Sequence, residues 1–411
     1  MFYTTFNGKR ERQSSMKKLR LAVFNTQPPL YLGGVERRIL ETAKKLQGKV
    51  DTTVYSGTKV GLRKPTMLNG IALVPCFSTD VVFPLDNWTF NQTLLRNADA
   101  LKADVYEAHT ASGYGLLSAF KKRGLKVPFV QTIHGVLADE YAQAYLGGGL
   151  SFRAKLANVF MWQLAKNEEE AAKNATLIVT ISRYSFRKIK QFYNVEPAKI
   201  RIVPNGVDSQ RFNPAGGSEK IKHRLKVGNR QCVLFVGRLI PRKGLGYLIE
   251  AAKLVVKERK ETLFIIVGNG PSKNKLVSDI DEAGLANNFA FLGDISEPDL
   301  PTVYRCAEVF ALPSIQEGQG IALLEAQASA KPVVAFNVSG VTEAVQNGET
   351  GFLVKPGSSI ELAGAILRLL ADSSLRTKMG AKGREFVQKE LSWEICAERM
   401  LKVYREALET V

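Results

Sequence analysis

One pattern constrains this chain more than any other: short apolar runs alternate with helical stretches, and the alternation runs through twice. The first pass begins at Leu19–Asn25, an apolar run that ends in the turn Thr26-Gln27-Pro28-Pro29. A helical stretch follows Gly33-Gly34, with Val35, Ile39, Leu40, Ala43 and Leu46 at helical spacing. Val50–Tyr55, Ile71–Pro75, 104–109, Pro128–Ile133 and Leu177–Ile181 read as further strands, and Leu94–Leu101 and 151–174 as helices. Pro204-Asn205-Gly206 breaks the pattern. It then restarts with strands at Val233–Val236, Leu263–Val267, Phe289–Leu292, Val309–Leu312 and Pro332–Ala335. The helices between and after them are Leu245–Val256, 272–283, Leu300–Cys306, Ile321–Ala330 and Thr342–Gln346, and a last helix covers Trp393 to Leu408. Short strands alternating with helices predict an α/β protein with parallel sheets covered on both faces. The chain has 411 residues, more than the roughly 250–300 at which one core stops growing. Two doubly wound domains around a hinge near 205 are therefore expected, with ligands at the carboxyl ends of the strands, in the cleft between them.

The charge is uneven. Residues 1–205 carry 30 Lys and Arg against 15 Asp and Glu, whereas the remainder carries 27 against 24. A positive half attracts an anionic surface, substrate or nucleic acid, and it also fits a solvated, soluble face. Nucleic acid is disfavoured, because the cations are scattered and neither an RNP-type aromatic motif nor a helix-turn-helix pattern is visible. The four cysteines (Cys76, Cys232, Cys306, Cys396) are far apart, and the three histidines (His109, His134, His223) share no metal-ligand spacing. Reduced thiols in a cytoplasmic protein are expected, without structural zinc. No apolar run approaches the ~20 residues of a membrane span. The first 15 residues are polar and basic without an apolar h-region. Met16 before Lys17-Lys18 looks like a natural start, so residues 1–15 are expected as a disordered extension.

Four segments could carry chemistry. Strand Val309–Leu312 leads through Pro313-Ser314 into the loop Glu317-Gly318-Gln319-Gly320 and a helix bearing Glu325. The glycines permit close backbone approach, the helix start offers free N–H groups, and two carboxylates can accept hydrogen bonds from sugar hydroxyls. Spacing alone fits equally a loop carboxylate favoured by the helix dipole and an exposed helix residue. Gly237-Arg238-Leu239-Ile240-Pro241-Arg242-Lys243-Gly244 puts three cations at a strand end, suited to a diphosphate or to a solvated basic loop. Gly33-Gly34-Val35 and Gly268-Asn269-Gly270-Pro271 are weaker glycine turns, and neither is a GxGxxG fingerprint. His109 and His134 both end strands, where a lone histidine is usually a structural residue.

In order, these segments resemble a family 4 retaining glycosyltransferase of the GT-B fold, over about residues 17 to 405. The match includes Glu317 and Glu325 with seven residues between them, Gly237-Arg238 with Lys243-Gly244, and Pro204-Asn205-Gly206-Val207-Asp208 with Phe212 and Pro214. Gly268-Asn269-Gly270-Pro271, Phe291-Leu292-Gly293, Gly33-Gly34-Val35-Glu36 and Thr132-Ile133-His134-Gly135 fall in family order. The resemblance implies two Rossmann-like domains facing a central cleft. These would be an acceptor-side domain, 16–206, and a nucleotide-sugar domain, 207–391, with the helix in 392–411 packing back on the first. Glu317 would contact donor-sugar hydroxyls and Glu325 the ribose, while Arg238 and Lys243 would neutralise the diphosphate. Backbone at Gly34, Gly318, Gly320 and Ile321 would cradle phosphate and sugar. His134 would lie beside the reacting carbon, and main chain at Gly270 and Leu292 would meet the base. No metal or other cofactor is implied.

Three departures stand out: Gln319 where the family often has an apolar residue, Val338-Ser339-Gly340 for a glycine pair, and Glu107 where many members have His. The first two bear on donor fit and the third on any acceptor role of His109. The implied activity is transfer of a hexose from a UDP- or GDP-linked donor to a lipid-linked or cell-surface glycan, with retention, the donor β-phosphate accepting the acceptor's proton. The basic, aromatic stretch Tyr141 to Arg153 with Trp162 suits an anionic membrane surface, on the cytoplasmic face. Alternatives are a non-catalytic nucleotide-binding protein of this fold or a sugar-nucleotide epimerase.

Overall fold

The computed structural model describes residues 18–30, 33–146 and 152–411, and the side chains of 144–159 are not described. The extension expected over 1–15 lies outside these residues, as does much of the basic stretch from Tyr141 to Arg153. Within the described residues the strands form two sheets. The first orders β3 (Thr66–Leu68), β4 (Ile71–Pro75), β2 (Val50–Ser56), β1 (Leu19–Asn25), β5 (Val105–His109), β6 (Phe129–Ile133), β7 (Leu177–Thr180) and β8 (Ile200–Ile202) across its width. All its pairs are parallel except β3 with β4. The second orders β11 (Phe289–Gly293), β10 (Leu263–Val267), β9 (Cys232–Val236), β12 (Val309–Leu312), β13 (Val333–Phe336) and β14 (Gly351–Val354), all parallel.

Each strand's period-two alternation builds two faces. Leu21 and Val23 of β1 join a core with Ile39, Leu46 and, from the helix Trp393–Glu409, Trp393, Met400 and Tyr404. Ala22 and Phe24 point the other way, into a core with Phe90, Leu94, Leu117 and Phe120. The last helix therefore covers the first sheet although it follows the second in sequence. Chain order reverses between β1 and β5 in one sheet and between β9 and β12 in the other, so both switch points open on the same cleft. The crossing segments lie side by side: Val207 bridges Ser392, and the Val207 amide donates to the Leu391 carbonyl at 2.8 Å.

The helix expected over Leu94–Leu101 is instead Phe83–Arg96, followed by a short 3₁₀ turn Ala98–Ala100. Its inward face carries Asn87 and Asn91, whose amides bond the Ala111 carbonyl. That polar, buried stripe hides the helix from an apolar count. Ile321–Ala328 and Val341–Ala344 are shorter than read, and the helices Tyr114–Lys122, Arg183–Tyr193, Ser359–Ala371 and Ser373–Glu390 were not assigned from sequence.

Candidate active site

On the second domain, two loops are locked together by glycine. A Cβ at Gly244 would stand 1.9 Å from the Pro313 carbonyl oxygen, so only glycine, here at φ +68°, lets the turn Pro241–Lys243 approach the strand end of β12. That approach delivers Lys243 onto Glu317 as a largely buried ion pair, and Ser314 Oγ stands 3.5 Å from the same carboxylate. Burial pushes the Glu317 carboxyl up, but Lys243 and Arg242 outweigh it and hold the group below the usual range. Gly320 then takes φ +86° to start the helix Ile321–Ala328. The Arg238 side chain is exposed and makes no ion pair among the described residues. Gly270 packs against Leu239, whose carbonyl oxygen would meet a Cβ there at 2.3 Å. Leu292, half-buried near the end of β11, lies along the same strand ends.

Glu325 sits one turn into the helix and is buried, 3% exposed. It accepts a hydrogen bond from Tyr304 Oη at 2.7 Å and pairs with Arg37, which reaches over from the helix Gly34–Leu46 and also pairs with Glu297. Burial raises the Glu325 carboxyl, against Arg37 and Tyr304. Arg37 and Tyr304 were not singled out from sequence: a pair 288 residues apart leaves no local signal.

Across the cleft the two helix starts face each other, since a Cβ at Gly34 would touch Ile321 Cδ1 at 3.4 Å. Both present N–H groups and positive dipole ends to the space between the domains. Gly318 lies against His134: a Cβ there would be 2.7 Å from the His134 carbonyl oxygen. The His134 ring bonds His109, with Nε2 and Nδ1 2.9 Å apart. Burial depresses both imidazoles, His109 down to about 3. The structure thus brings His134, Lys243, Glu317, Gly34, Gly318, Gly320, Ile321 and Glu325 around one cleft, and sets Arg238, Gly270 and Leu292 along the strand ends of the second sheet.

Further polar latches close the cleft. Glu343 accepts the Arg183 and Tyr184 amides at 2.9 and 3.2 Å, capping the helix Arg183–Tyr193 from the other domain. Gln316 donates to Asp139 at 3.3 Å. The departure at Gln319 belongs to this set. Its Oε1 accepts the Asn205 amide at 2.7 Å and its Nε2 donates to the Asn205 carbonyl at 3.3 Å, so it ties the loop 317–320 to the hinge. At the second departure, Ser339 takes φ +47°, a conformation that favours glycine, and the adjacent Gly340 would drive a Cβ to 1.7 Å from the Gly318 carbonyl oxygen.

Comparison with known proteins agrees with this geometry. Residues 32–211 match the model of Glycosyltransferase Family 4 and residues 218–386 that of Glycosyl transferases group 1. A D-inositol 3-phosphate glycosyltransferase from Kribbella flavida is 30% identical over 344 residues, 80% of this chain and 78% of that protein. A GDP-mannose-dependent alpha-(1-6)-phosphatidylinositol monomannoside mannosyltransferase from Mycobacterium tuberculosis is 31% identical over 254 residues, 60% of this chain and 66% of the relative, just short of two thirds of its length. The fold of sucrose-phosphate synthase from Thermosynechococcus elongatus superimposes with a TM-score of 0.81 at 20% identity, covering 96% of this chain and all of that one. The paired domains, the cleft between their switch points and the family matches over both halves agree: the chain belongs to glycosyltransferase family 4 and has the GT-B fold.

Proposed function

We propose that the protein transfers a hexose-type sugar from a UDP- or GDP-linked donor to a lipid-linked or cell-surface glycan acceptor, with retention and without a metal. The observation that carries the reading is the facing of two helix starts, at Gly34 and Ile321, beside the Lys243–Glu317 pair and His134. Two opposed positive helix ends and two cations, Lys243 and the exposed Arg238, suit the departing diphosphate. Glu317 and Glu325 stand as acceptors for sugar and ribose hydroxyls. His134 faces them from the acceptor side.

The relatives favour a phosphorylated polyol or glycolipid as acceptor, since their names specify inositol phosphate and a phosphatidylinositol mannoside. A peripheral position on an anionic, cytoplasmic membrane face fits the charge excess of residues 1–205. Phe160 and Trp162, 45% and 47% exposed, add apolar contacts on the same domain. No helix among the described residues is long and apolar enough to cross a membrane.

The test is a thermal-shift screen across UDP- and GDP-sugars, followed by product release with the best donor and assignment of the product anomer by NMR. Arg238→Ala and Lys243→Ala should lower turnover far more than stability. Near-normal sugar release by both variants would refute the diphosphate assignment, and an inverted product anomer would refute retention. Binding of anionic over neutral vesicles at low salt is expected, and equal binding removes the membrane reading.

A further inference from the structure

Glu107, the third departure, lies at the base of the His109–His134 pair and is built into a buried network. Thr132 Oγ1 donates to its Oε1 at 2.6 Å, and Tyr404 Oη, from the last helix, donates to its Oε2 at 2.6 Å. Its Oε1 also stands 3.4 Å from His109 Nε2. Glu107 and His109 are 4% and 1% exposed. His109 Nε2 is buried and has no hydrogen bond, the 3.4 Å approach being poorly aligned. A cavity lined by Arg38, Thr42, Thr52, Glu107, His109 and Tyr404 adjoins it. The groups facing the two rings are Glu107 from β5, Thr132 from β6, Arg38 from the helix Gly34–Leu46 and Tyr404 from the helix Trp393–Glu409. Arg38 is fully buried and, among the described residues, bonds the Val203 carbonyl, Asn205 Oδ1 and Met400 Sδ. Its charge faces Glu107 without touching it.

We propose that Glu107 is a positioning residue of the transfer reaction: through His109 it fixes His134 as the Nε2–H tautomer and leaves His134 Nδ1 as an unprotonated acceptor at the cleft. Two donors aimed at Glu107 and the nearby Arg38 charge favour its anion; they oppose burial, which on balance raises the carboxyl above its usual range. An anion beside His109 Nε2 draws the ring proton to that nitrogen. His109 Nδ1 is then a lone pair, and it can only accept from His134 Nε2 across the 2.9 Å contact. His134 Nδ1 makes no hydrogen bond among the described residues, and the residue is half-buried. It is then free to accept from a hydroxyl of donor or acceptor. Tyr404 gives the returning helix a part in this, because its hydroxyl fixes the carboxylate from a position 297 residues away in sequence. The inference rests on the proposed function for what the nitrogen meets, but not for its tautomer.

The test is nitrogen NMR of the full chain labelled at histidine. The chain has three histidines, so His223, on the helix Glu219–Arg224, serves as an internal control. In the wild type, His134 should show a protonated Nε2 and an unprotonated Nδ1 at neutral pH. A protonated Nδ1 overturns the proposal whatever the variants do. Glu107→Gln keeps the shape but replaces the anion with an amide that can donate to His109 Nε2, and the His134 tautomer should then reverse or mix. Turnover should fall roughly tenfold or more with the donor KM nearly unchanged, as wrong-tautomer histidines behave elsewhere. A folded Glu107→Gln protein with an unaltered His134 spectrum overturns it. Should that variant not fold, Tyr404→Phe, which removes one donor to the carboxylate, is read in the same way. A wild type that transfers no sugar counts against the proposed function and leaves the tautomer result standing.

Discussion

The Gln319 amide offers the clearest quantitative test of how the two domains are joined. Gln319 and Asn205 are 2% and 4% exposed, and the Asn205 amide and carbonyl bond only to the Gln319 side chain among the described residues. Gln319→Leu keeps the volume but orphans both backbone groups. Each unsatisfied buried group costs about 1–3 kcal/mol. The longer bond, at 3.3 Å, belongs at the lower end of that range. Burying a leucine in place of an amide offsets about 1–2 kcal/mol, so a net loss of roughly 1–3 kcal/mol is expected. Trp393, buried beside the hinge, reports the transition by fluorescence in urea. Two domains need not unfold together, so hydrogen exchange at the Asn205 amide is measured beside the urea midpoint. The variant should exchange there roughly tenfold faster or more, since 1.4 kcal/mol is a factor of ten. On the proposed function it should also raise the donor KM, because Gln319 couples the loop 317–320 to the hinge. A loss below about 0.5 kcal/mol with the Asn205 amide still protected would refute the reasoning, for it would mean that other groups satisfy both backbone atoms.

Gly206→Ala places a Cβ 2.4 Å from backbone atoms of Ser392 and Trp393, which cannot swing aside; a loss of roughly 3 kcal/mol is expected by thermal or urea denaturation. Arg37→Leu leaves Glu325 buried and uncompensated and should cost about 3–5 kcal/mol, most of it recovered by adding Glu325→Gln in a double-mutant cycle. Glu168 is buried against Tyr193 and the Leu137 amide, with its carboxyl pushed up to about 8 and its Oε1 without a hydrogen bond among the described residues. It is therefore protonated when folded and ionised when unfolded between pH 4.5 and about 8, so stability falls as pH rises through that window, by up to ~1.4 kcal/mol per unit. The slope of Tm against pH should flatten in Glu168→Gln, and an unchanged slope would refute the assignment.

What could be read from sequence depended on whether the signal was local. The buried parallel strands of the second domain are continuous apolar runs, such as Leu263–Val267, and they stood out. β3 and β8, three residues each, carry too little pattern to find. The helix Phe83–Arg96 was misplaced because its buried face is built from asparagine amides. At the site, the glycines and charges were visible as residues. Their pairing was not, because Arg37 meets Glu325, Gln319 meets Asn205 and Tyr404 meets Glu107 only once the chain has crossed between domains. All three departures from the family pattern sit in tertiary contacts: Gln319 bonds the Asn205 backbone, Ser339 takes a left-handed backbone beside Gly340, and Glu107 accepts from Thr132 and Tyr404.

The same contacts limit what the two glutamates can do in the proposed reaction. A general acid must be protonated near neutral pH, yet Lys243 and Arg242 hold Glu317 below the usual carboxylate range. It is an anion under working conditions and can only accept hydrogen bonds. Glu325 is raised by burial, but one oxygen takes the Arg37 guanidinium and the other the Tyr304 hydroxyl. Both partners donate, so the free lone pairs of Glu325 also accept. Two carboxylates that only accept suit hydroxyl-bearing rings and cannot protonate a leaving group. Stabilisation of the departing diphosphate then falls to the cations Lys243 and Arg238 and to the backbone amides at the two opposed helix starts. Lys243 can serve both sides because an ammonium carries three donors, one of which stays on Glu317 while the others turn to phosphate oxygen. Replacing it with arginine would keep the charge but impose a planar fork on a site built around a point. Lys243→Arg should therefore retain nucleotide binding in thermal shift and lose turnover, whereas equal turnover would show that charge alone suffices.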